Sequence, residues 1–310
     1  MFRNIRFNVS YLLSLLLLAL CIWAIANELR AYNYQDILHS LASIPKRRLS
    51  WAIGLTILGY SVMAGYDILG FYYVDRTLLW NKIALTNFIS SAFSNTIGFA
   101  LLTGSAIRYR FYTGWGVPGV AIAQIIAFVN FTFWLGMLTL AGVIFLTNPL
   151  SIPTQIHLPF STVRPFSFIF IFLLVIYLLG SIFIRQTLTI RGHIFRFPNF
   201  SISLAQIAIS SLDWVLAAAV LYVLLPINSS LSYADFLGVY LLAMVAAIIS
   251  NIPGGLGVFE TIILLLLSSK ISAAKILGSL LAYRGIYYFM PVFLAGGLLS
   301  IFELRYRKKI

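Results

Sequence analysis

The chain has 310 residues, of which 61% are hydrophobic and only 9% charged, and its mean hydropathy is +0.97. A soluble domain carries about 25% charged residues, so a soluble globular protein is excluded. The net charge of +13 does not mark a nucleic-acid surface, because the basic residues stand at the ends of apolar runs and form no patch with interleaved aromatics.

A bilayer core needs about 20 apolar residues per helical crossing. Segment 9–27, behind Arg3 and Arg6, meets that length. It is read as a retained first span, since Asn27-Glu28-Leu29-Arg30 is no small-residue cleavage site. The single cysteine, Cys21, lies in this run and excludes an internal disulfide or a cysteine-rich metal site. Residues 31–49 read as an interfacial helix and loop that ends in Pro45-Lys46-Arg47-Arg48. Segment 50–73 is the second span and carries Asp67. Segment 83–107 is apolar but interrupted at Gly98 and Gly104. Segment 118–146 is long and aromatic-rich, and 166–184 is a plain span. Segment 201–225 contains Asp213. Segment 234–269 is broken at 253–257, and 271–302 holds Arg284 near its middle. The polar stretches 147–165 and 185–200 read as loops. His39, His157 and His193 have no metal-ligand spacing, so neither a metal nor a cofactor is expected.

The two interrupted segments resemble each other. One reads Ser94-Asn95-Thr96-Ile97-Gly98, followed by Gly104 and Arg108. The other reads Ser250-Asn251-Ile252-Pro253-Gly254-Gly255-Leu256-Gly257, followed by Glu260. Helix breakers at membrane depth are tolerated only inside protein or beside a wet cavity. A pair of them in matching halves points to a transporter's binding site. Two topologies compete: about eight full crossings, or about six with both broken segments as re-entrant hairpins. The second puts most of the 21 basic residues and both termini on the cytoplasmic side, as the positive-inside rule favours. Lys46-Arg47-Arg48 then falls on the wrong side. The expected fold is an all-α integral membrane protein forming one transmembrane domain. Its halves, about 50–146 and 201–302, are inverted repeats joined by span 166–184.

The strings SNTIGFALLTGSAIRYRFY at 94–112, NIPGGLGVFE at 251–260 and YRGIYYFMP at 283–291 resemble the membrane region of bacterial lysylphosphatidylglycerol synthases and related stand-alone membrane proteins. The likeness covers nearly the whole chain. It implies movement of a lipid, aminoacylated in that family, between leaflets. In the family, synthase activity belongs to a C-terminal cytoplasmic domain. This sequence stops at Arg305-Tyr306-Arg307-Lys308-Lys309-Ile310, so the resemblance implies a translocator and no synthase.

An ionisable group at mid-membrane costs about 2.5–3.5 kcal/mol on insertion scales. Asp213, Glu260 and Arg284, with Asp67 nearer a span end, should therefore face one another or a wet cavity. Arg284 has two readings: a phosphate anchor, or an internal partner of Glu260 or Asp213. Arg108 and Arg110 read as near-surface residues set by topology and lipid contact, or as headgroup ligands. Asp67, Asp213 and Glu260 could meet a cationic headgroup or carry protons, and Asp67 could instead bond a neighbouring helix. Pro253, Gly254, Gly255 and Gly257 precede an apolar helix whose free N–H groups suit a phosphate, or they serve close packing. Asn95 and Asn251 would satisfy freed backbone groups. Tyr283, Tyr287 and Tyr288 would line the cavity or simply pack.

The function expected is flippase-like translocation of a phospholipid headgroup. The alternatives are a non-transporting accessory subunit of a cell-envelope lipid or glycan synthesis system, and a membrane enzyme acting on lipids. The latter lacks a GxSxG, HExxH or paired acidic motif. Expected partners are phospholipid and the bilayer. A second copy of the chain, or a lipid-modifying or glycosyltransferase enzyme, stays open.

Overall fold

The computed structural model of the protein describes residues 35, 39, 42–97, 100–150, 162–184, 187–190, 193–226, 231–250, 255 and 257–307. Among them the chain is almost wholly helical. The helices are α1 (Lys46–Tyr73), α2 (Trp80–Ile97), α3 (Ala100–Gly114), α4 (Gly119–Thr147), α5 (Arg164–Phe183), α6 (Phe200–Leu224), α7 (Tyr233–Ile249), α8 (Val258–Leu267), α9 (Ala273–Tyr283) and α10 (Met290–Arg307). A π-helical segment, Arg284–Phe289, joins α9 to α10. The predicted span 9–27 lies outside the described residues.

Among the described residues, five stretches are long and apolar enough to cross a membrane: Lys46–Tyr73, Gly119–Thr147, Arg164–Phe183, Phe200–Leu224 and Ala273–Phe302. They coincide with five of the predicted spans. The protein is therefore a multi-pass membrane protein. On α5, Phe168, Phe172, Ile176 and Phe183 are exposed, as suits a helix with one side in lipid.

The two interrupted segments fold back on themselves. Lys82 Nζ, at the start of α2, sits 5.3 Å over the Trp115 ring just beyond α3. Further in, Ser90 and Ser94 face Gly104, and Thr103 Oγ1 donates to Ser94 Oγ at 3.4 Å. The legs thus run antiparallel and open at the same end. The second pair does likewise: Tyr240 on α7 meets Phe259 on α8 with centroids 5.6 Å apart, while Gly255 lies against Ala247. At 1.5 Å per residue, the 15 residues of α3 span about 22 Å and the 10 of α8 about 15 Å. Each is short of a core about 30 Å thick.

The long helices alternate in direction. α1 and α6 pack antiparallel, with Gly59 on Leu216 and Gly65 on Ile209. α4 and α6 run parallel, as Gln206 Nε2 donates to Thr132 Oγ1 at 2.6 Å and Gly136 abuts Ser210. α2 lies against α10, and α7 lies against α4. The apolar core runs through these contacts and is rich in buried aromatics, among them Phe93, Phe111, Tyr112, Phe236 and Phe259. Helix backbones come close at Gly136, where an added Cβ would stand 2.5 Å from the Ser210 carbonyl carbon. Backbone cannot yield as a side-chain tip does. Gly136→Ala is expected to lower stability by about 1–3 kcal/mol, read as a lower melting temperature in detergent. Gly54→Ala, with open space around its Cβ, should leave it unchanged or raised.

Three expectations need correction. Residues 185–200 are not simply loop: strands β1 (Thr187–Ile190) and β2 (His193–Arg196) form an antiparallel hairpin, with Thr187 opposite Arg196. Tyr73 Oη ties it to α1 by donating to the Arg196 carbonyl at 2.6 Å. Lys46-Arg47-Arg48 is not the end of an interfacial loop but the first turn of α1, behind Pro45. Arg48 Nη1 donates to the Leu225 carbonyl at 2.9 Å, so its charge caps the C-terminus of the antiparallel α6. Gly104 is no helix break, since α3 runs through it. It is small because a Cβ there would collide with Ser94 Oγ.

Candidate functional site

Each folded-back pair is held by a buried ion pair. In the first, Asp67 on α1 is fully buried. Arg108 on α3 donates from Nε to Oδ1 and Oδ2 at 3.0 and 3.1 Å, and from Nη2 to Oδ2 at 2.9 Å. Asn87 on α2 adds Nδ2 to Oδ2 at 2.6 Å, and Tyr112 on α3 adds Oη to Oδ1 at 2.8 Å. One carboxylate thereby clamps both legs to α1. Arg108 is thus buried within the protein and not turned toward lipid. Its guanidinium is drawn inward because Asp67 supplies a bidentate acceptor that water would otherwise have to supply. Arg110, half-buried, points about 200° away on the same helix.

The second pair is built at the start of α8. Glu260 Oε2 accepts from the Gly257 backbone N–H at 2.9 Å, which satisfies one of the helix's free N-terminal donors. Glu260 Oε1 accepts from Arg284 Nε and Nη2 at 3.0 and 2.7 Å. The Arg284 guanidinium also lies 4.8 Å from the Tyr288 ring centroid and 5.9 Å from that of Phe259, within cation–π range. Gly257 has φ +81 and Gly255 φ +65, and a Cβ at Gly255 would stand 2.7 Å from that of Ala247. Glycine is required at Gly255 on both counts. Of the two readings of Arg284, the ion pair with Glu260 is the arrangement present, and Asp213 is not its partner.

Between these pairs lies a cluster of tyrosines. Pro291 has no N–H to give the carbonyl four residues back, and the helix widens into a π segment there. The Tyr287 carbonyl instead accepts from Tyr60 Oη at 3.2 Å, and the Tyr288 carbonyl from Thr96 Oγ1 at 3.3 Å. Asn95 Nδ2 reaches Tyr60 Oη at 3.4 Å, so it bonds a side chain and not the backbone expected of it. Tyr240 and Tyr283 share a hydroxyl–hydroxyl bond of 2.8 Å. Tyr283 stacks on Tyr287 with centroids 5.3 Å apart. Asp213 on α6 is buried at 3% exposure and accepts one bond, from Tyr66 Oη to Oδ2 at 2.8 Å.

The structure thus brings together Asp67 with Arg108, Glu260 with Arg284 and Gly257, and Asn95 with the Tyr283 and Tyr287 cluster. Gly98, Asn251, Pro253 and Gly254 lie outside the described residues. Sequence reasoning missed Tyr60, Tyr66, Asn87, Thr96, Tyr112 and Tyr240. Asn87 was legible as an amide within an apolar run, and Pro291 as a breaker within the last span. Among the described residues no cluster of His, Cys, Asp and Glu is suited to a metal. A surface cavity of about 530 Å3 lies between α5, β2 and α6, lined by Ser181, Arg196, Phe197 and Asn199 among others. No predicted site residue lines it.

Residues 11–295 match the family described as the lysylphosphatidylglycerol synthase TM region. The chain is 46% identical to an uncharacterized Synechocystis protein, slr0712, over 93% of this chain and 89% of that one. It is 31% identical to the inner membrane protein YbhN of Escherichia coli, over 85% and 82% of the two chains. It is 26% identical to the phosphatidylglycerol lysyltransferase of Staphylococcus haemolyticus over 89% of this chain. That match spans only 32% of the lysyltransferase. The chain belongs to the lysylphosphatidylglycerol synthase TM-region family.

Proposed function

We propose that this protein moves the polar headgroup of a phospholipid, aminoacylated or not, between the leaflets of a bacterial inner membrane. In this reading it is a transporter and not an enzyme. Its two halves are inverted repeats, each with a re-entrant hairpin, and both termini face the cytoplasm. The antiparallel packing of α1 on α6 supports the inversion.

The observation that carries the reading is the Glu260–Arg284 pair at the break before α8. There a guanidinium and a helix N-terminal N–H converge on one carboxylate inside a membrane protein. That donor set is the one a lipid phosphate needs. Glu260 holds the place while no lipid is bound, and the phosphate displaces it during passage. Acyl chains remain in the bilayer beside the protein.

The test is leaflet exchange of fluorescent phosphatidylglycerol in proteoliposomes, read by quenching of the outer leaflet. Exchange above protein-free vesicles is expected. A chemically altered lipid would indicate an enzyme instead, and no exchange with unaltered lipid would indicate an accessory role.

A further inference from the structure

Asp213 is used by neither ion pair. Its Oδ1 is buried and has no hydrogen-bond partner among the described residues, while Oδ2 has only the Tyr66 hydroxyl. α6 packs against α1, α4, α5, α7 and α9, and α4 carries no titratable side chain. Tyr60 and Tyr66 lie on α1, Tyr240 on α7 and Tyr287 on the π segment, all within electrostatic range. All four are phenols, and among the described residues no arginine or lysine is ion-paired with Asp213. Asp67 and Glu260, by contrast, each face an arginine. A buried carboxylate with one neutral donor bears nearly the whole cost of leaving water, whereas the neutral acid does not.

We propose that Asp213 is a proton-binding site whose occupancy follows the packing of α1 against α6, and that a proton is the ion coupled to lipid movement. This rests on the transport reading above. In the packed arrangement the proton sits on Oδ1 and Tyr66 continues to donate to Oδ2. When α1 and α6 part, water solvates the carboxyl group and Oδ1 gives up its proton to it. Repacking takes one proton back. Asp67 and Glu260 are each engaged by an arginine, which leaves Asp213 as the site proposed. Asp213 and Tyr66 belong to the two helices that open each proposed half, so the proton is bound where the halves must slide.

Two measurements on the whole protein decide it. Infrared difference spectroscopy of wild type in liposomes should show a protonated-carboxyl C=O band near neutral pH that is missing in Asp213→Asn. That variant keeps the shape and an acceptor for Tyr66. The absence of the band from wild type overturns the proposal, whether or not lipid moves. In the fluorescent phosphatidylglycerol assay, wild-type exchange should change several-fold when a pH gradient is imposed across the vesicle. Asp213→Asn should lose that response. A gradient response retained in Asp213→Asn, or absent from exchanging wild type, overturns the coupling. A wild type that shows the band but exchanges no lipid overturns the transport reading and the coupling with it, and leaves the proton site standing.

Discussion

Asp67→Ala is expected to destabilise the folded protein by about 3–5 kcal/mol, because it strands a buried guanidinium. Arg108 is 5% exposed and its Nε and Nη2 both end on that carboxylate. Asn87 and Tyr112 lose their acceptor as well. The measurement is thermal or denaturant unfolding in detergent. The paired replacement Asp67→Leu with Arg108→Met removes both charges and should recover much of the loss. It stops short by about 1–3 kcal/mol for each polar group left unsatisfied. If the double variant is as unstable as Asp67→Ala, charge imbalance is not what the clamp resolves. A headgroup role for Arg108 requires that this clamp open, so the double variant also tests whether the first hairpin contributes to exchange at all.

Arg284→Ala should show the second large effect, and here stability and transport can be separated. Alone, it leaves Glu260 buried and unpaired and should cost about 3–5 kcal/mol. Combining Arg284→Met with Glu260→Gln removes both charges and should bring stability back to within about 1–2 kcal/mol of wild type. Exchange should stay lost. A charge-assisted hydrogen bond contributes about 1.5–3 kcal/mol, so losing a two-pronged phosphate contact should slow exchange by roughly 100-fold or more. Wild-type exchange in the stable double variant would leave the pair a packing role only.

Much of this architecture can be read from residue order. Spans are legible because hydrocarbon demands about 20 apolar residues in a row. The two folded-back segments are legible because their glycines cluster where lipid would not tolerate a break. Gly104 misleads for the same reason, since a glycine that admits a neighbouring serine looks like one that ends a helix. Arg108 looks like a surface anchor because its partner lies on another helix, 41 residues away, and no local pattern records that distance. Lys46-Arg47-Arg48 looks misplaced when only charge is counted. It makes sense once Arg48 is seen at the end of α6. Pro291 was a local signal in plain sight, yet its consequence falls on carbonyls that α1 and α2 satisfy. Pairing depends on register between helices, which composition does not encode.

The crossed arrangement of the folded-back pairs constrains how the molecule can move. α2, of the first pair, leans on α10, and α7, of the second, leans on α4. In the proposed division into halves, each pair is thus braced by the other half's last helix. In the proposed transport cycle, a hairpin therefore moves only with rearrangement of its contact across the bundle.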